Sequence, residues 1–175
     1  HPEYTQVNDY VRASERGSEA YQAMNEQFEE VARSKGRKSG MEHFPLPSQP
    51  HQVWRLPIQE GYKTLTRDGS PAGPLLGEFE EYDGAETGSL IGALSYLYVT
   101  NDHATPDRFT PKSPDFTEVV VSWLVREDAK EGVDYDLDHL KWMWDVTTIQ
   151  DTKIINNNQK GVNSSHYSPG PYSEY

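Results

Sequence analysis

The sequence predicts an α+β fold, a twisted antiparallel sheet with one long C-terminal helix. Three observations predict it. Leu137, Leu140, Trp144, Thr148, Asp151, Ile155 and Asn158 follow one another at steps of three or four, which makes one continuous face of a helix over residues 137–160. Phe116 to Arg126 (FTEVVVSWLVR) is β-branched and aromatic, as a central antiparallel strand is. Ser89 to Thr100 is a second long run, rich in Leu, Ile and Tyr.

The remaining elements follow in chain order. Residues 1–17 are polar and without a clear period. Ser18 is read as an N-cap, after which Ala20, Met24, Phe28 and Val31 recur at helical spacing up to Ser34. Gly36 and Gly40 end this helix, and the basic run Arg33 to Lys38 sits at its C-terminal end, where the helix dipole favours cations. The segment from Met41 to Pro50 is too rich in proline to be regular structure. Short strand-like runs follow at Gln52–Leu56, Tyr62–Thr66 and Leu75–Tyr82, the last after a Gly-Ser-Pro turn. Between the two long strand runs, NDHATPDRFTPKSPD reads as a polar loop with three prolines. No internal repeat is apparent.

The length of 175 residues fits one domain or a large piece of one. Apolar residues make up 34%, below the usual range of about 45–50%. The mean hydropathy of −0.84 agrees, so the core is expected to be lean, or completed by something outside this chain. Sixteen Lys and Arg stand against 28 Asp and Glu, a formal net charge of −12, which argues against nucleic acid or an anionic membrane as partner. The absence of cysteine excludes a disulfide framework, a thiolate zinc site and a cysteine-ligated iron–sulfur cluster within this chain. The best apolar run, Leu90 to Val99, is half the roughly 20 residues of a membrane span. No export leader is visible, so the cytoplasm is the expected location. The chain opens on His1-Pro2-Glu3 without Met and stops at Tyr175 after a Pro-Gly-Pro turn, and is read as a fragment of a longer polypeptide.

Asp151 stands in the middle of the predicted helix face. A buried carboxylate is costly unless it is paired or holds a metal, so it is either a satisfied core carboxylate or a metal ligand. Asp134, Asp136 and Asp138 imitate the start of a calcium loop, but His139 stands where Gly is required and no Glu closes the loop; Asp136 or Asp138 is instead expected to cap the helix. Asn163-Ser164-Ser165 fits a glycosylation sequon, which carries little weight without an export signal. No two of His1, His43, His51, His103, His139 and His166 lie three to five residues apart, so a metal site must combine distant residues or residues beyond this chain.

Two stretches carry a resemblance. His1-Pro2-Glu3 resembles the end of the E-C-x-H-C-x-x-x-H-P-E segment in catalytic α subunits of Rieske non-heme iron oxygenases. Residues 123–175, with DYDLDHL, WMWDVTTIQD, NQKGVNSS and YSPGPYS, resemble the same family's C-terminal pattern. The similarity is strongest to the branch that oxidises quaternary ammonium and N-methyl compounds such as glycine betaine, choline or stachydrine; DGSPAGPLLGEF (68–79) is also similar to that branch.

The resemblance implies a helix-grip (START/SRPBCC-like) catalytic domain over 1–175, its antiparallel sheet wrapped around the C-terminal helix. The Rieske domain, the first iron-ligand His and the C-terminal end would lie outside the chain. It maps the second His of the iron triad onto His1 and the carboxylate onto Asp151. Two His and one carboxylate on one face of Fe(II) leave positions open for O₂ and substrate. The implied enzyme is a monooxygenase or dioxygenase fed from NAD(P)H through a ferredoxin or flavin reductase and a neighbouring subunit's [2Fe–2S] centre, within a homotrimer. For a cationic substrate an aromatic wall is chemically sensible, with Tyr96, Tyr98 and Trp123 as candidates on the two long strands. Two alternatives stay open: an aromatic-ring hydroxylating member of the family, or a non-catalytic helix-grip module that binds a hydrophobic ligand.

Overall fold

The computed structural model describes residue 3 and residues 19–46 and 49–171; Ser18, the expected N-cap, lies outside them. Its elements are α1 (Glu19–Ser34), β1 (Gly40–Leu46), β2 (Gln49–Pro57), β3 (Ala85–Leu90), β4 (Ser95–Val99), β5 (Ala104–Ser113), β6 (Phe116–Val121) and α2 (Leu137–Val162). Every strand pairs antiparallel with its neighbours in sequence, in the order β1-β2-β3-β4-β5-β6. Helix α2 packs on the sheet face that carries Tyr98, whose ring centroid lies 4.6 Å from that of Trp144. The α+β expectation therefore holds. No helix among the described residues is long and apolar enough to cross a membrane.

Both helix ends follow from their residues. α1 closes in a Schellman turn, with Arg37 N–H donating to Ala32 C=O at 2.8 Å and Gly36 N–H to Arg33 C=O at 3.0 Å. That geometry needs positive φ at Gly36, which adopts +64°. The basic run after α1 is anchored: Arg37 and Arg55 both donate to Asp83 Oδ2. Asp136 caps α2 by accepting from His139 N–H at 2.8 Å, as the sequence suggested.

The sheet departs from the sequence reading wherever proline is involved. Met41–Pro50 is largely strand, as β1 and the start of β2, despite Pro45 and Pro50. β1 is the edge strand, and β2 pairs with β3 only from Gln52 onward, so neither proline removes a donor from an inner ladder. The segment read as a polar loop forms β5, although it contains Pro106 and Pro111. Pro106 lies one residue beyond the last β5–β6 pair, Asp107 with Val121, and Pro111 lies at a register shift. Ser89–Thr100 is not one strand but the β3–β4 hairpin, turned at Gly92 with φ +65°.

Tyr62–Thr66 and Leu75–Tyr82 belong to no strand; residues 58–84 form one ordered connection between β2 and β3. Leu65 from this connection joins Ile58 and Met143 of α2 in the apolar core, flanked by Tyr62 and Trp142. The expected lean core is evident in its neighbours, since Thr64, Thr66, Glu86, Thr100, Asn101, Asp102, His103 and Thr105 are all buried as well.

One close contact governs the sheet interior. A Cβ on Gly88 would meet the Trp54 ring at 2.0 Å. Gly88→Ala is therefore expected to displace Trp54 and to lower stability by about 1–3 kcal/mol, the usual range for overpacking. A thermal midpoint equal to that of the parent protein would show that the ring moves freely.

Candidate functional site

An open cleft of about 300 Å³ lies between α2 and the β4–β6 face of the sheet. Strand alternation puts Tyr98 of β4, Asp107 and Phe109 of β5, and Val119 and Val121 of β6 on that face. From the helix, Trp144, Thr147, Thr148, Asp151, Thr152 and Ile155 complete the lining at helical spacing. Its walls are thus aromatic and aliphatic, with hydroxyls along the helix side and two carboxylates.

Aromatic contacts hold the walls. Tyr98 meets Trp54 edge-on at 5.7 Å and stacks with Tyr96 at 6.3 Å, and Tyr96 in turn meets Phe109 edge-on at 5.9 Å. Burial raises the Tyr98 phenol well above its ordinary value, with the charges of Glu86 and Asp107 adding to it, so this hydroxyl stays protonated. Burial also raises the Asp107 carboxyl, partly offset by the Tyr96 backbone N–H that donates to its Oδ1 at 2.8 Å.

The sequence candidates divide as follows. Tyr98 lines the cleft, and Tyr96 stands behind it on the same sheet face. Trp123 is not among the lining residues, because β6 ends at Val121 and the chain leaves the regular ladder; its indole N–H is buried without a hydrogen-bond partner. Trp144 of α2 supplies the second ring instead.

Asp151 does reach the cleft, but not as a buried carboxylate. The buried stripe of α2 is Leu140, Met143 and Thr147, and the helix outruns it, leaving 151–158 exposed. His1 lies outside the described residues. Glu3, two positions after it, accepts a hydrogen bond from Gln150 Nε2 at 2.6 Å, beside Asp151 in sequence. That bond holds the Glu3 carboxyl below its usual value.

A second polar cluster lies outside the cleft. Asp102, fully buried, accepts at Oδ1 from His103 Nδ1 at 2.8 Å and from the hydroxyls of Thr64 and Thr100 at 2.8 and 2.9 Å. Its Oδ2 accepts from Ala72 N–H at 2.8 Å and lies 3.4 Å from the Tyr82 hydroxyl. This carboxylate ties the 58–84 connection to the turn between β4 and β5. No motif announced it, because its partners are scattered over 40 residues of sequence context that only folding brings together.

Comparison with known proteins gives the architecture a family. Residues 80–175 match the ring hydroxylating alpha subunit (catalytic domain) family. The chain belongs to that family. It is 40% identical over 124 residues to the glycine betaine monooxygenase oxygenase subunit of Chromohalobacter salexigens, covering 70% of this chain and 28% of that protein. Subunits of the same name from two strains of Pseudomonas aeruginosa are 36% identical over 125 residues, covering 71% of this chain and 29% of theirs. This catalytic-domain chain thus spans less than a third of the length of these relatives.

The family implies an iron centre, and the donor chemistry at the cleft suits part of one. Asp151 offers a hard anionic oxygen of the kind that two-His-one-carboxylate sites use. Among the described residues no group of three or more His, Cys, Asp and Glu is arranged to hold a metal.

Proposed function

We propose that the intact protein is a Rieske-type oxygenase that hydroxylates an N-methyl carbon of a quaternary ammonium substrate such as glycine betaine. The observation that carries this reading is Asp151 on the wall of an aromatic cleft, one residue from the Gln150–Glu3 bond, in a chain similar to glycine betaine monooxygenase oxygenase subunits. His1 and Asp151 would be two of the three iron ligands, and bound Fe(II) would supply O₂ activation. The first His would come from residues preceding His1.

This chain's residues supply the rest. The faces of Tyr98 and Trp144 attract an alkylammonium group by the ring quadrupole. Val119, Val121 and Ile155 offer apolar surface to the methyl groups. The Gln150–Glu3 bond links the segment after His1 to the helix turn that bears Asp151. Hydroxylation of an N-methyl carbon consumes O₂, two electrons and two protons and releases water. The hydroxymethyl product then breaks its C–N bond, giving formaldehyde, a proton and the tertiary amine. Electrons would arrive from NAD(P)H through a ferredoxin or flavin reductase and a [2Fe–2S] centre on a neighbouring subunit of a homotrimer in the cytoplasm.

Full-length protein supplied with reductase is expected to release formaldehyde only when glycine betaine is present. Hydroxylation of an aromatic acid with no action on any N-methyl compound would move the protein to another branch. Ligand binding with no O₂ consumption would favour a non-catalytic module.

A further inference from the structure

We infer that Asp107 is the counter-charge that makes the cleft select a cationic head group over a neutral one of the same shape. The inference rests on the cleft assignment above and goes beyond it by naming a specificity-determining residue. Among the described residues that line the cleft there are two carboxylates, Asp107 and Asp151, and no Lys, Arg or His. Asp151 is the proposed metal ligand, so its charge is committed elsewhere. Asp107 is half-buried and forms no ion pair among the described residues. Its neighbour Arg108 faces the other side of the sheet, towards Glu118 at 3.7 Å.

A carboxylate withdrawn from water without a cation is unfavourable, and a bound cation removes that penalty. The Tyr96 N–H donates to one Asp107 oxygen at 2.8 Å, and Phe109, two residues on, shares its face of β5. The aromatic rings of Tyr98, Phe109 and Trp144 surround the same space. Rings attract a quaternary ammonium without hydrogen bonds, and a carboxylate adds the long-range charge that rings lack. A cleft of about 300 Å³ is at the small end of ligand pockets, which suits a compact trimethylammonium group.

The test uses full-length protein and two probes in calorimetric titration. Tetramethylammonium carries the charge, and 3,3-dimethylbutanoate is the uncharged-head carbon analogue of glycine betaine. Asp107→Asn is expected to weaken tetramethylammonium binding about tenfold or more and to leave 3,3-dimethylbutanoate binding unchanged or improved. Asp107→Glu, which keeps the charge, is expected to recover most of the cation affinity. Equal loss for both probes would mark Asp107 as structural and overturn the inference, as would an unchanged cation affinity in Asp107→Asn. Failure of the parent protein to bind tetramethylammonium would overturn it too. Charge-dependent binding without formaldehyde release from glycine betaine would support Asp107 as selector while removing that substrate from the proposed function.

Discussion

Asp151→Ala in the full-length protein is expected to lower formaldehyde release from glycine betaine by more than about 100-fold and to deplete bound iron, while the visible absorption of the Rieske centre stays unchanged. Loss of partners that merely orient a metal ligand costs about 10–100-fold, so removing an anionic ligand should exceed that. The fold gives this variant a clean interpretation. Asp151 lies on the exposed half of α2, and alanine has the best intrinsic helix propensity, so the substitution has little structural cost. Normal iron content and normal turnover would remove Asp151 from the ligand set.

The largest stability effect is expected at Asp102. Asp102→Ala strands the hydroxyls of Thr64 and Thr100, the Ala72 N–H and the His103 ring in a buried site. Breaking a buried charged network from one side costs about 3–5 kcal/mol. Asp102→Asn, which keeps one carbonyl acceptor, should cost less. Burial alone would raise the Asp102 carboxyl, but the His103 hydrogen bond and charge, with the bonds from Thr64 and Ala72, outweigh it and hold it below its ordinary value. A depressed carboxylate stabilises the fold above its unfolded value and loses that contribution as pH falls through the folded value. The gap between parent and Asp102→Ala in urea unfolding should therefore be full at neutral pH and shrink in strong acid. A constant gap down to low pH would show that the charge plays no part.

What was legible in the sequence was local. α2 announced itself by its helical period and β6 by its β-branched and aromatic composition. β6 is nonetheless an edge strand ending at Val121 and not the central strand reaching Arg126 that was expected. β1 and β5 did not announce themselves, since Pro45, Pro106 and Pro111 look like strand breakers until one knows which ladder positions stand empty. That knowledge is tertiary. The 58–84 connection was misread in part as strands because its order comes from Asp102 and Leu65, both of which act through distant partners. Asp151 was singled out from its position on the helix face and lines the cleft, though the expected burial failed once α2 outran its buried stripe. Trp144, which the sequence placed only on the helix face, took the place expected of Trp123 because β6 stops at Val121. Asp107 was hidden inside a segment read as a loop, where alternation with Phe109 had no meaning until β5 existed.

The Gln150–Glu3 bond also bears on the order of events during synthesis. The meander joins each strand to the one just made, so the sheet can form as the chain emerges, with small loop-closure costs. Glu3 finds its partner only 147 residues later. At about 5–20 residues per second, the ribosome delivers Gln150 roughly 7–30 s after Glu3. Glu3 must therefore wait until Gln150 of α2 is made before this hydrogen bond can form. This contact between the start of the chain and α2 is thus one of the last to become available during synthesis.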